Sequence, residues 1–462
     1  MIPNYHPHVL LAIGADVFFR NFVESGAFND LAEKYETYGF TIEGVKKKFP
    51  KELRIQDLGS VSLQSWRENI RNHLYWVSVF AGRSRSNTLI EKSKVLGKRD
   101  KQLYSAMSFP GVYTLINIVG EAVLGIHPEI KWLFDQVAPD VVIVPSQGND
   151  SLTIDLIKIA HRRHIPLIAL NYNWDNVASK GLMHYKPDIL CVWGKDMEQL
   201  AVKVHRLKPE QIRVIGAAHF EQYFDARRMA SSAEEAARLM NQGVPRLLFA
   251  GNSKGHPEIP YLQLLETAID SGRLPQLKVI YRPHPWRALR RGEKNFYDMR
   301  FKHIEMDPQL AGRFTPERML EGHNRSGNVI IPALDYYPIL LQSVVGVISP
   351  FSTLLLEAAL VGRPIMAMNM FEDEWLKHAA DRFEHLGRLR REVPGVLECD
   401  NEETFIERVA ALLEMSENTA LLGKMREATR PIVYRNELTT YGQRLVAVVD
   451  QVLSRQGKSM DQ

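Results

Sequence analysis

The chain has 462 residues, 45% of them hydrophobic and 24% charged, with a formal net charge of +4 at pH 7. That length exceeds one ordinary core and makes two domains the starting expectation, and the balance is that of a folded globular protein rather than a disordered or nucleic-acid-binding chain. Two cysteines, Cys191 and Cys399, exclude a disulfide framework and fit a reducing cytoplasm.

Met1–Val9 is polar and does not read as a secretory leader. His8–Gly14 reads as a first strand, and the turn through Asp16 leads to a helix over Leu31–Tyr35. The stretch from Glu43 to Phe109 is polar, basic and irregular, and reads as helices with long loops. Gly111–Ile126 is the longest apolar run; Asn117 and Glu121 inside it predict a core helix rather than a span. Ile130–Val137 is a helix, Asp140–Pro145 a buried strand, Ser151–His161 a helix and Ile165–Asn171 a strand. Asp188–Gly194, Asp196–Val204 and Ile212–Gly216 repeat the alternation. Strand–helix–strand order predicts a parallel sheet covered on both faces.

Met229–Gln242 reads as a surface helix at a domain junction. A second alternating set follows: strand Arg246–Ala250, helix Tyr261–Ile269, strand Leu277–Tyr281, a short extended piece Val329–Ile331 and helix Tyr336–Leu341. Val344 to Met368 then reads as strand, Ser/Thr-rich turn, helix, Gly-Arg-Pro and strand. Helices at Glu402–Met415, Thr419–Ala428 and about Leu438–Leu453 close the chain. The expected fold is α/β: two facing Rossmann-like domains with a cleft, and a C-terminal helix crossing back. The expected boundaries are 1–225, 226–435 and 436–462.

Ligands of open α/β sheets bind at the carboxyl edge of the strands. Three loops of the second half fall there. Gly251, Asn252 and Ser253 follow its first strand. Arg282, His284 and Pro285 follow the strand ending at Tyr281, where prolines fix the backbone. Ser349, Ser352 and Thr353 open a helix whose N-terminus suits a phosphate, although hydroxyls there also serve as ordinary caps. Glu357, one turn further on, can reach ribose hydroxyls or simply face solvent. In the first half, Asp16, Asp150 and Asp175 lie at strand ends, and each can act as a base toward an acceptor hydroxyl. Asp150 is equally placed to cap the next helix. Tyr172 and Trp174 flank Asp175 and offer rings for a sugar. Neither an Asp-x-Asp pair, nor zinc-spaced cysteines, nor a GxGxxG fingerprint is present, so no metal or NAD is expected.

The His-Pro element at His284-Pro285, with the Ser-x-x-Ser-Thr turn at Ser349–Thr353, resembles paired elements of GT-B-fold glycosyltransferases that use CMP-sugars, the bacterial sialyl- and polysialyltransferases. CDP-glycerol-type transferases of surface polymers are similar. The resemblance implies that His284 contacts the donor phosphate or assists leaving-group departure and that Ser352 and Thr353 bind the phosphate. This chain lacks the acidic pair followed by Gly that such sialyltransferases carry, so the base and the stereochemical course stay open. The implied activity is metal-independent transfer of a sugar from a nucleotide donor, CMP-linked by this resemblance, to a capsule- or lipopolysaccharide-type acceptor. CDP-polyol phosphotransfer and sugar-nucleotide 2-epimerisation are the alternatives on the same fold, and a non-catalytic sugar- or nucleotide-binding module is a third. The nucleotide sugar is a substrate, so no cofactor is expected. The basic stretch Lys92–Lys101 suggests peripheral contact with the cytoplasmic face of the inner membrane.

Overall fold

The computed structural model describes residues 6–146, 150–240, 243–251, 257–284, 294–311, 314, 332–369 and 377–457. The chain divides into two compact units, one formed by residues 1–221 with 431–462 and the other by 222–430.

The first unit holds a seven-stranded parallel sheet in the order β3-β2-β1-β4-β5-β6-β7. Its strands are β1 (His8–Ile13), β2 (Glu36–Ile42), β3 (Ile55–Val61), β4 (Val141–Val144), β5 (Leu167–Leu170), β6 (Ile189–Val192) and β7 (Ile212–Val214). β4, β5 and β6 are apolar at every position and wholly buried, as strands covered on both faces must be. The polar region after Glu43 contributes the edge strand β3, and then the helices Ser65–Gly82 (α1), Lys98–Met107 (α2) and Pro110–Leu124 (α3). Ser151–Arg162 (α4) follows β4.

The second unit carries a six-stranded parallel sheet in the order β10-β9-β8-β11-β12-β13. These strands are β8 (Arg246–Ala250), β9 (Lys278–Arg282), β10 (Ile304–Met306), β11 (Gly346–Ser349), β12 (Ile365–Met368) and β13 (Leu397–Cys399). Helix Ile259–Asp270 (α5) links β8 to β9, and Thr353–Leu360 (α6) links β11 to β12. Leu247, Phe249, Val279, Tyr281, Ile348 and Met366 form the centre of its core. The extended piece expected at Val329–Ile331 lies outside the described residues.

The chain then returns to the first unit. Tyr434 N–H donates to the Trp193 carbonyl at 2.8 Å, beyond the end of β6. Gly194 permits this approach, because a Cβ there would stand 2.2 Å from the Pro431 carbonyl oxygen. The final helix, Tyr441–Arg455 (α7), is capped by Thr440, whose Oγ1 accepts from Gln443 N–H. Its Tyr441, Leu445, Val448 and Val449 join Val9, Leu11, Val141 and Ile168 in one core. The molecule is thus an α/β protein of two Rossmann-like domains with a C-terminal helix, as the sequence leads one to expect.

One element overturns its expectation. α3 forms, but it is not a core helix: Val112, Leu115, Ile118, Val119 and Val123 are exposed, while Asn117 and Glu121 are buried. Glu121 turns inward because buried cations meet it, while the Asn117 amide donates to the Tyr113 carbonyl of the same helix at 2.8 Å. Arg71 and Lys158 both pair with Glu121, the second at 3.0 Å.

Candidate functional site

In the second unit the chain runs outward from β8 to β9 and β10, then returns to place β11 on the other side of β8. The gap between β8 and β11 is therefore the switch point where open parallel sheets bind ligands. Arg282 is level with Ala250 and Ile348 with Phe249, so β9, β8 and β11 end side by side. With one strand between them, the loops after β9 and β11 are about 10 Å apart on the same edge. His284 and the Ser349–Thr353 turn are thus brought together on one edge. Gly251 stands between them, while Asn252, Ser253 and Pro285 lie outside the described residues.

Ser352 occupies the N-cap of α6 with extended backbone, yet its side chain does not cap the helix. Its Oγ lies 3.1 Å from the Oγ of buried Ser349 instead. The structure therefore sets a hydroxyl pair beside a helix N-terminus that no side chain caps among the described residues, where N–H groups and the helix dipole favour an anion. Gly251 N–H donates to the Arg282 carbonyl at 2.9 Å. A Cβ on Gly251 would come within 2.4 Å of the buried Glu258 carboxylate, which accepts from Tyr281 Oη. A side chain here would have to displace the Glu258 carboxylate from its hydrogen bond with Tyr281.

Arg282 is buried and paired with buried Asp307, and it donates to Tyr337 Oη at 2.9 Å. Burial opposes its charge, but Tyr337 and Asp307 outweigh that and hold it above its ordinary value. Its guanidinium is committed inside the domain, so the expected phosphate contact through Arg282 is corrected to a structural anchor for the β9 end. The His284 imidazole is lowered to about 4, by burial and by the Arg282 charge, and is neutral near pH 7. Glu357 accepts from Tyr223 Oη on the flank of α6.

In the first unit the switch point lies between β1 and β4. Asp16 and Asp150 follow these strands, and both hold backbone. Asp16 accepts from Lys46 N–H at 2.9 Å and Lys47 N–H at 3.3 Å. Asp150 caps α4, accepting from Thr153 N–H and Thr153 Oγ1 at 2.9 Å each, and from Ser146 Oγ. Trp174 is 3% exposed, so its ring offers no face to a sugar, contrary to expectation.

Asp175 sits differently. Its Oδ2 accepts from Ser179 Oγ at 2.6 Å, and its buried Oδ1 makes no hydrogen bond among the described residues. Lys180, Tyr172 and Lys92 all feel its charge. Burial opposes the charge on Lys180, but Tyr172 and Asp175 outweigh it and raise the ammonium above its ordinary value. Burial and the Lys180 charge lower Lys92 to about 8. Its ammonium donates to the Ser179 carbonyl at 2.9 Å and lies 5.2 Å from the Tyr75 ring centre. Tyr172 packs on Phe18 with ring centres 4.3 Å apart. In sequence Lys92 belongs to a basic stretch that reads as surface and Lys180 to a loop, so nothing local signals that both are half-buried beside Asp175.

Among the described residues, Glu266, Asp270 and His303 bring potential metal-ligand atoms within 4.8 Å. They sit at the amino end of β10, opposite the carboxyl edge of the same sheet, and hydrogen-bond one another and the 302–303 backbone.

No protein-family model and no curated protein sequence matches the chain. Its fold does match solved structures. One from Listeria monocytogenes, described as a UDP-N-acetylglucosamine 2-epimerase, aligns with a TM-score of 0.53 at 11% identity over 98% of this chain and 97% of that one. The UDP-GlcNAc 2-epimerase of Methanocaldococcus jannaschii aligns at 0.50 and 12% identity, over 96% and 99%. A histidine-to-asparagine variant of the wall teichoic acid polymerase TagF aligns at 0.51 and 9%, over 98% and 90%. The class defined by the fold is the two-domain GT-B-like arrangement that these enzymes share.

Proposed function

We propose that this chain is a metal-independent transferase that binds a nucleotide-activated sugar on its second unit and passes the sugar to a glycan acceptor. The observation that carries this reading is the uncapped N-terminus of α6, with Ser349 and Ser352 beside it, on the same sheet edge as His284. A donor phosphate there would accept from the α6 N–H groups and the two hydroxyls. Neutral His284 would donate one further hydrogen bond. As negative charge grows on the leaving phosphate, that hydrogen bond would strengthen and stabilise the departing group without any proton changing hands. Glu357 would meet the ribose. Asp175 is the favoured base, since the other two aspartates hold backbone; Tyr172 would border the acceptor. CMP-linked donors rest on the resemblance of the His-Pro and Ser-Thr elements.

The fold likeness to the epimerases and to TagF supports two further readings, 2-epimerisation of a sugar nucleotide and transfer of a polyol phosphate. All three need the same phosphate cradle. Thermal melts with CMP, CDP, UDP, GDP and ADP test it. A nucleotide at about a hundred times its Kd adds ~2.7 kcal/mol. That should raise Tm by several degrees in the wild type and clearly less in Ser352→Ala, each shift being read against that protein's own unliganded Tm because the variant also loses the hydrogen bond to Ser349. Failure of all five nucleotides removes the proposal. Product analysis with donor alone separates an epimerase from a transferase.

A further inference from the structure

Surface helices normally turn polar side chains to water and apolar ones inward. α3 does the reverse. Along its 15 residues the outward positions are Pro110, Gly111, Val112, Thr114, Leu115, Ile118, Val119, Ala122 and Val123, with no charge among them. Leu115 is 61% exposed and Val123 62%. The inner face is held by polar contacts instead. Glu121 pairs with Arg71 and Lys158, and Asp155 pairs with Arg67 and Arg71 at 2.6 and 2.8 Å. Close approach of α1 at Gly120, where a Cβ would touch Leu74 at 3.0 Å, completes the attachment. The outward orientation is therefore locked, not a frayed surface.

The helix that precedes α3 begins with positive charge. α2 packs on α3 and meets it at a 92° bend, and its first turn carries Lys98, Arg99 and Lys101 against Asp100. Phe109, at the bend, is 66% exposed. α3 is about 22 Å long at 1.5 Å per residue, short of the ~30 Å hydrocarbon core, and no single helix among the described residues is long and apolar enough to cross a membrane. A helix whose outward face is apolar and uncharged, preceded by a helix that starts with exposed Lys98 and Arg99, matches an element lying in the plane of an anionic lipid surface.

We infer that α3, with the basic start of α2, docks this protein onto anionic membrane, with the Val112–Val123 face in the acyl boundary and Lys98, Arg99 and Lys101 on the headgroups. The inference stands apart from the donor chemistry proposed above. Co-sedimentation of the full chain with phosphatidylglycerol-rich vesicles at low salt tests it. Wild type should pellet with these vesicles and far less with pure phosphatidylcholine. Leu115→Asp with Ile118→Asp should lower the partition coefficient at least about tenfold. Lys98→Glu with Arg99→Glu should lower it about fivefold or more per residue and leave a weaker salt dependence. All four positions are outside the core, and an unchanged Tm verifies folding. The inference is overturned if wild type stays in the supernatant at low salt, or if the aspartate variant binds as well as wild type. It is also overturned if the chain is a dimer that the aspartate variant dissolves and that ignores vesicles, since a second copy would then own the face.

Discussion

His284 shows how one residue's surroundings set its chemistry. Its pKa falls from the usual 6.5 to about 4 because it is half-buried, with the Arg282 charge close by. The unfolded chain therefore binds more protons between those values, so this group's contribution is full above about pH 6.5 and is lost as pH falls through about 4. A phosphate at the imidazole would favour the charged form and raise the pKa of the complex, so nucleotide affinity should increase as pH drops from about 7 to 5, up to about tenfold per unit of induced shift. Calorimetric titrations of wild type and His284→Asn at both pH values check this. Protonation of the nucleotide itself affects both proteins alike, so an identical pH slope in the two would remove His284 from the phosphate.

At the scale of elements, α3 depends on a buried ion network that joins it to α1 and α4. Arg67, Arg71, Glu121, Asp155 and Lys158 are each less than a tenth exposed. Such networks add little over a good apolar core, but removing one partner strands the others in a poor solvent. Glu121→Ala leaves Lys158 facing backbone carbonyls alone and takes one carboxylate from Arg71. The expected loss is about 3–5 kcal/mol in denaturant melts. Replacing exposed Val119 by Ala on the same helix should change stability by less than about 0.5 kcal/mol. A Glu121→Ala cost near that of Val119→Ala would mean that the network does not hold the helix.

At the scale of the whole molecule, the first unit is completed by residues more than two hundred positions away in sequence. Tyr441, Leu445, Val448, Val449, Val452 and Leu453 are buried in its core. At roughly 1.5–3 kcal/mol per buried side chain, losing them removes on the order of 10 kcal/mol, about the whole stability of a domain. Truncation after Arg430 should therefore unfold the first unit. Hydrogen exchange should show β1 and β4 unprotected while β8, β9 and β11 keep their protection. Protection retained in β1 would show that α7 is dispensable.

The carboxyl-edge positions of His284, Gly251 and Ser349–Thr353 were legible because a buried strand, a turn and a helix start are all local patterns. β1, β4 to β6, β8, β9, β11 and β12 were legible for the same reason: burial on both faces makes a continuous apolar run. β2 was hidden by Gly39, a weak strand former that is there because Phe49 packs where its Cβ would be. β3 is a polar edge strand, and β10 and β13 have three residues each. By itself, then, the sequence determined the alternating α/β plan, the most buried strands and the turns that end them, since these follow from local hydrophobicity and backbone chemistry. Only the tertiary structure decided which face of α3 meets water, that Arg282 is spent on Asp307, that Trp174 is buried and that Lys92 lies beside Tyr75. Periodicity reveals which residues share a face; which way the face turns depends on partners such as Arg71, Asp155 and Lys158, brought close by the fold from distant parts of the chain.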